Sequence, residues 1–380
     1  MQQPVYLDHA ATTPTHPEVA QAMMPIMINI FGNPSSAHSF GRRARREVDE
    51  ARAFIAKSIN ATENEIIFTS GGTEADNTAL FGVANAHKDR GNHIITTAIE
   101  HHAVLHTCKQ LEKEGFEITY LPVNNHGEIS IEDLKAAVKE STILVSVMYG
   151  NNEVGTIQPV KEIGELCSEA NILFHTDAVQ AYGIQAIDVK ELHIDLMSVS
   201  AHKINGPKGI GFLYVKNSVK LIPRQHGGEQ ERKRRAGTEN VAGIVGFKEA
   251  VHLAQTDMLE KREKYEQFKQ KMLEVFQKEK IQFNVNGEGA KDLLPHVFNI
   301  SFPSTNVESM LVNLDLAGIA ASSGSACTAG SIDPSHVLVA MYGKDSDKIT
   351  NSIRFSFGLG NTLEEIEKAS FEIAKIVNRK

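Results

Sequence analysis

Short apolar runs alternate with amphipathic stretches through the first two thirds of the chain. EIIFTS (Glu65 to Ser70), HIITTAIEH, FEITYLPV, TILVSVMYG, ILFHTDA, DLMSVSA and GIGFLYV each read as a strand, rich in β-branched and aromatic side chains. Between them GGTEADNTALFGVANAHK, AVLHTCKQLEKEG, IEDLKAAV and VKEIGELCSEA carry helical spacing. So does the stretch from about Arg42 to Ile59, where Ala44, Val48, Ala51, Phe54 and Ile55 share one face. Several strands are apolar on both faces, which predicts an α/β fold with a mainly parallel seven-stranded sheet flanked by helices.

Around Gly243 that rhythm breaks. One long, charge-laced helix is predicted from roughly Ile244 to Lys278. IQFNVNG, HVFNISFP, GIAASSGSAC, SIRFSFG and a final helix from Leu363 follow, a pattern suited to a smaller α+β unit. The expected division is a large domain over residues 15–250 and a small α+β domain made of residues 1–14 and 251–380. YLDHAATTP and FGNPSSAHSFG show neither period and read as a loop laid over something. SSGSACTAGSIDPS has too few apolar side chains to pack and is expected to be a mobile loop.

Composition narrows the function classes. The 380 residues carry 39 Lys and Arg against 47 Asp and Glu, a formal net charge of −8, which argues against broad attraction to nucleic acid or anionic membrane. The basic run Arg232 to Arg235 is a local exception and reads as a solvated loop. Cys108, Cys167 and Cys327 are too few for a disulfide framework, so a reducing compartment, the cytoplasm, is expected. Met1 to Pro14 lacks a basic region followed by an apolar run, so no signal peptide is expected. No apolar run approaches the roughly 20 residues of a membrane span.

In sheets of this kind ligands collect at the carboxyl ends of the strands, and the residues there form a coherent set. Lys203 follows DLMSVSA and precedes a glycine-rich turn; Ser200 and His202 flank it, and Gly206, Pro207, Gly209 and Gly211 permit close approach. A lysine so placed forms a Schiff base with a carbonyl cofactor as readily as it stands as a solvated charge. Gly71, Gly72 and Thr73 lie between strand and helix, a phosphate-binding position or a plain tight turn. His101 ends the next strand as a capped surface histidine or a functional one. Asn151, Asn152 and Glu153 end another, where a turn is the plain reading. Asp177, after ILFHTDA, either caps the following helix or, as a buried carboxylate, requires a cation such as a protonated pyridine nitrogen. His175 with Asp177 also admits a metal reading, without further His or Cys at zinc-like spacing. Cys327, among Ser323, Gly324, Ser325 and Thr328, is expected to be accessible, unlike Cys108 and Cys167 on their helices.

Taken in order, YLDHAATTP, FGNPSS, SGGTEADN, EHHAV, NNEVG, HTDAVQ, SAHKINGPKGIG, RAGTEN and SSGSAC resemble the group I, NifS/IscS-like cysteine desulfurases, fold-type I enzymes of the class-V aminotransferase family. The resemblance implies pyridoxal 5'-phosphate as cofactor, a homodimer and L-cysteine as substrate. It makes Lys203 the Schiff-base lysine and proton carrier, Asp177 the partner of the pyridinium nitrogen, and His101 the residue stacked on the ring. Gln180 and Asn152 are implied on the ring's hydroxyl side. Gly72, Thr73, Ser200 and His202 are implied around the phosphate, joined by Thr238 from the partner subunit. Arg354, with Asn152, is implied to hold the substrate carboxylate. Cys327 takes the sulfur as a persulfide, destined for an iron–sulfur scaffold or a tRNA-thiolation enzyme. Two other readings stay open: another fold-type I enzyme, such as a selenocysteine lyase or aminotransferase, and a non-enzymatic scaffold that binds sulfur-transfer partners.

Overall fold

The structure, a computed structural model, describes residues 4–324 and 334–379. Cys327 and most of the loop expected to be mobile therefore lie outside the described residues. Strand β1 (Val5–Tyr6) precedes the main sheet, whose strands are β2 (Ile66–Thr69), β3 (His93–Thr97), β4 (Glu117–Leu121), β5 (Thr142–Ser146), β6 (Leu173–Asp177), β7 (Leu196–Ser200) and β8 (Gly211–Val215). Their order is β2-β8-β7-β6-β5-β3-β4, and every pairing is parallel except those of β8 with β2 and β7. The exception follows from chain length. Residues 201–210 alone join β7 to β8, fewer than the dozen or so that a parallel crossover needs, so the strand folds straight back. That short return carries Lys203.

All residues of β2, β3, β5, β7 and β8 are buried, as strands without a polar face must be, whereas the edge strand β4 is half-buried. Core packing on one face of the sheet draws Val48, Ala51 and Ile55 from the helix Ser39–Lys57 and Ile244, Phe247 and Val251 from the helix Val241–Thr256. The other face is covered by the helices Gly72–His87 and His102–Lys113, through Leu80, Val83, Val104 and Leu111.

The predicted long helix is two. Val241–Thr256 stops at Asp257, and Met258–Lys278 begins anew. The split separates two cores: the first helix packs on the main sheet, while Tyr265, Phe268, Met272 and Phe276 of the second join Phe298, Ile300, Phe355 and Leu7. Charges on both surfaces gave the sequence one continuous helical pattern across the junction. In this second core β12 (Ser352–Ser356), β10 (Val297–Ser301) and β9 (Asn284–Val285) form an antiparallel sheet, and β1 pairs in parallel with β11 (Ile319–Ala320).

The basic run is solvated only in part: Arg232 and Lys233 are exposed, as expected, but Arg234 and Arg235 are not. Arg235 pairs with Glu74 at 2.7 Å, Arg234 donates to the Asn64 carbonyl, and both are half-buried. Glu231, Arg232 and Lys233 all take left-handed backbone angles (φ 48°, 56° and 67°), a costly turn for residues with a Cβ. It is pinned by Glu231, whose buried carboxylate accepts two hydrogen bonds from Arg52, at 2.6 and 2.7 Å, and one from the Phe68 amide. Among the described residues no helix is long and apolar enough to cross a membrane.

Candidate active site

A cavity of about 320 Å³ opens where the carboxyl ends of β5, β6 and β7 meet the N-terminal segment. Ten residues that the resemblance assigns to the site line it: Gly72, Thr73, His101, Asn152, Asp177, Gln180, Ser200, His202, Lys203 and Arg354. They come from six separate stretches of chain; the order of the main sheet makes five of them neighbours, and Arg354 comes from the separate sheet that holds β12. Thr238 is apart, exposed beside a smaller hollow of about 150 Å³ that Ser70, Gly209 and Arg235 also line.

Lys203 closes a single 3-10 turn after β7, and its Nζ donates to the carbonyls of Ala10 and of Ala11, the latter at 2.8 Å. The patternless N-terminal segment thus does lie over something: it roofs the lysine. Gln180 Nε2 also donates to the Ala10 carbonyl, at 2.9 Å, and its Oε1 faces His296 Nε2 at 3.1 Å. Thr13 holds the backbone of the same turn through the His202 carbonyl, and His202 Nδ1 meets Thr12 Oγ1.

The helix Gly72–His87 starts without a side-chain cap, at Gly71 with φ 152°. Its first amides and its dipole face the cavity beside Ser200, the arrangement that favours an anion. The strands allow this approach because Gly211 has no Cβ; one there would sit 2.8 Å from the Gly71 Cα.

No helix follows Asp177, only a turn, so it is not a helix cap. Its Oδ1 accepts from the Val179 amide of that turn at 2.9 Å, and its buried carboxyl group lies in the cavity wall. Burial raises its pKa to about 6, against the opposing effects of that amide and of Lys203. His101 does cap its helix, Nδ1 accepting from the Ala103 amide at 3.1 Å. Burial, then the charge of Lys203, lowers it to about 4. The neutral ring therefore carries its proton on Nε2. His175 does not join Asp177 as a metal ligand. Its ring nitrogens face Ser146 Oγ at 2.9 Å and Ser198 Oγ at 3.0 Å, fully buried.

Arg354, on β12, is 2% exposed. Nη1 donates to the Asn152 carbonyl at 3.0 Å and Nη2 to Asp8 at 2.9 Å, while Nε has no hydrogen-bond partner among the described residues. Asn151, by contrast, is structural: its Oδ1 accepts from the Glu153 and Val154 amides.

Asp76 and His336, which also line the cavity, were not foreseen, and Glu153 was read only as part of a turn. Asp76, inside the quoted SGGTEADN, lies one helical turn beyond Gly72 and so reaches the same cavity. Glu153 of NNEVG accepts from Ser335 Oγ and lies 2.5 Å from where a Cβ on Gly324 (φ 91°) would be, so one carboxyl group touches both sides of residues 325–333. His336 donates from Nε2 to the Glu100 carbonyl at 2.8 Å. No spacing rule marks these residues, because each is set by tertiary approach.

The residues fit pyridoxal phosphate. An uncapped helix end suits its phosphate, Lys203 its aldehyde, and the buried carboxyl group of Asp177 its cationic ring nitrogen.

A model of the class-V aminotransferases matches residues 5–369. The chain belongs to that family. Within the class-V aminotransferases it groups with the IscS/NifS-like cysteine desulfurases. It is 60% identical to a Bacillus subtilis (strain 168) protein carrying the name IscS 1, over 99% of each chain. It is 50% identical to the cysteine desulfurase IscS of Clostridium botulinum, over 100% of this chain and 96% of the relative. Among solved structures, one titled a NifS-like protein superposes with a TM-score of 0.91 at 36% identity, covering 98% of this chain and 99% of the other. One titled SspA in complex with cysteine gives 0.81 at 35% identity, over 93% and 98%.

Cys108 and Cys167, the two cysteines among the described residues, are buried, and burial pushes Cys167 up to about 12 and Cys108 further. Such thiols are not nucleophiles at neutral pH. Cys108→Ala and Cys167→Ala are each expected to keep alanine formation from L-cysteine within about three-fold of the parent, measured on folded protein.

Proposed function

We propose that the protein is a pyridoxal-phosphate-dependent cysteine desulfurase that converts L-cysteine to L-alanine and leaves the sulfur on Cys327. The observation that carries this reading is the convergence of Lys203, Asp177 and Arg354 on one cavity in a chain of this family. The relative solved with cysteine supports the substrate. Bound pyridoxal phosphate supplies an electron sink for negative charge at the substrate α-carbon.

The chain's own residues do the rest. Gly72, Thr73, Ser200 and His202 hold the phosphate, with Thr238 of a second subunit completing it. Asn152 and Gln180 would hold the ring's hydroxyl side, His101 would lie against the ring, and Asp177 would balance its positive nitrogen. Lys203 would hold the cofactor's aldehyde and, as an amine, would take the α-proton of the substrate. Arg354 offers its planar fork to the substrate carboxylate. The Cys327 thiolate then attacks the substrate sulfur: a new S–S bond forms, the C–S bond breaks, and the carbon keeps the electron pair and takes a proton, giving alanine. Residues 15–250 make up the cofactor-binding unit, and residues 1–14 and 251–380 the unit that carries Cys327.

A homodimer fits the surface. The helix Pro17–Asn29 leaves Met24, Met27 and Ile28 59–66% exposed, and Phe31 beyond it is 71% exposed. A monomer does not keep such a patch in water. The persulfide passes to a sulfur-acceptor protein, an iron–sulfur scaffold or a tRNA-thiolation enzyme, in the reducing cytoplasm.

The test is alanine and sulfide release from L-cysteine with a reductant present; a protein that binds pyridoxal phosphate yet releases neither contradicts the reading. In the same assay Arg354→Lys is expected to raise KM for L-cysteine by about 10- to 100-fold, because one ammonium cannot replace two parallel N–H donors. A KM unchanged from the parent removes Arg354 from the substrate site.

A further inference from the structure

Asp76, whose carboxyl group lines the cavity, has no task in the chemistry above. Asp76 is 1% exposed, and one of its oxygens lies within 4.8 Å of an oxygen of Asp177 and of a nitrogen of His101. Its Oδ1 has no hydrogen-bond partner among the described residues, and His175 Nε2 lies 3.6 Å from it. That ring cannot supply a charge, since full burial lowers it to about 3.

The groups that face Asp76 come from every element around it. Asp177 ends β6, His175 lies two residues earlier on the same strand, and Ser198 stands on β7. Glu100 and His101 lie beyond β3, and Lys203 acts on Asp177 from the turn after β7. Glu100 is itself fully buried and pushed up to about 8, so it adds no second fixed charge at neutral pH.

Two carboxyl groups this close in a dry pocket do not both ionise. Which one keeps the proton follows from their partners. Asp177 has the Val179 amide and the charge of Lys203, both of which favour its anion. Asp76 has only Ser198 on that side; burial and the charge of Asp177 both hold its proton on.

We propose that Asp76 and Asp177 form a one-proton carboxyl pair in which Asp76 carries the proton, making Asp76 a positioning residue that fixes a single negative charge opposite the ring nitrogen. The pairing of Asp177 with that nitrogen rests on the function proposed above; the proton count does not. If Asp177 loses its charge, nothing of like sign opposes ionisation of Asp76, which then becomes the remaining anion.

Two experiments test this. The first uses the apoprotein and its melting temperature against pH. A group whose folded pKa is raised gives stability that is complete below its unfolded value and lost as pH rises through the folded one. From about pH 4.5 to 8.5 the parent is therefore expected to lose several degrees more than Asp76→Asn, whatever constant offset separates them. Parallel curves overturn the proposal, and they do so whether or not the protein binds pyridoxal phosphate.

The second is a cycle of pyridoxal phosphate dissociation constants, read by absorbance. Asp76→Asn alone is expected to change Kd by less than about three-fold, but to weaken binding by about ten-fold or more when added to Asp177→Asn. Equal effects in the two backgrounds overturn the pair. Failure of the parent itself to bind the cofactor instead contradicts the function proposed above.

Discussion

Lys203→Ala is expected to form no measurable alanine from L-cysteine, a loss of at least about 10³-fold, because one substitution removes both the covalent anchor and the general base. The same variant is expected to lose the absorption near the visible edge that the parent shows with pyridoxal phosphate. The site explains why no other amine can substitute. Lys203 is fixed by a 3-10 turn whose backbone Thr13 holds, and its Nζ is held under the Ala10 and Ala11 carbonyls. Lys208, beyond the turn, lies in a different hollow with Met24 and Met27. Retention of both the absorption band and alanine formation would remove Lys203 from the chemistry and favour the scaffold reading.

Cys327→Ala is expected to keep the absorption of the bound cofactor, because no cofactor-binding role falls on that side chain, and to lose sulfide release by about 10²-fold or more. The thiol is the acceptor of sulfur, and the buried Cys108 and Cys167 cannot take its place. The contrast between the two variants carries the information. Lys203→Ala removes the carbon chemistry with its spectrum, whereas Cys327→Ala removes only the transfer. An aminotransferase with the same pocket has no use for Cys327, so parent-like activity in Cys327→Ala would favour that alternative.

Much of this was legible in the sequence, for physical reasons. The buried strands were easy to read since strands covered by helices on both faces are largely apolar, and β5, β7 and β8 are buried at every residue. The site residues were legible because such a sheet collects its chemistry at strand ends, where Asp177, Ser200 and Lys203 lie. What escaped depends on tertiary approach. The junction at Asp257 was hidden because each of its helices buries one face against a different core. Asp76 was hidden because its role depends on Asp177, about a hundred positions away. The basic run looked solvated because its partners, Glu74, Asn64 and Glu63, belong to another part of the chain. Carbonyls of Ala10 and Ala11 have no sequence signature at all.

The most direct test of the central claim is mass spectrometry of the holoenzyme after one equivalent of L-cysteine, without reductant. The peptide that contains Cys327 is predicted to gain the mass of one sulfur atom as one alanine forms per site. Alanine formed with no gain on Cys327, or with the sulfur on Cys108 or Cys167, would contradict the account.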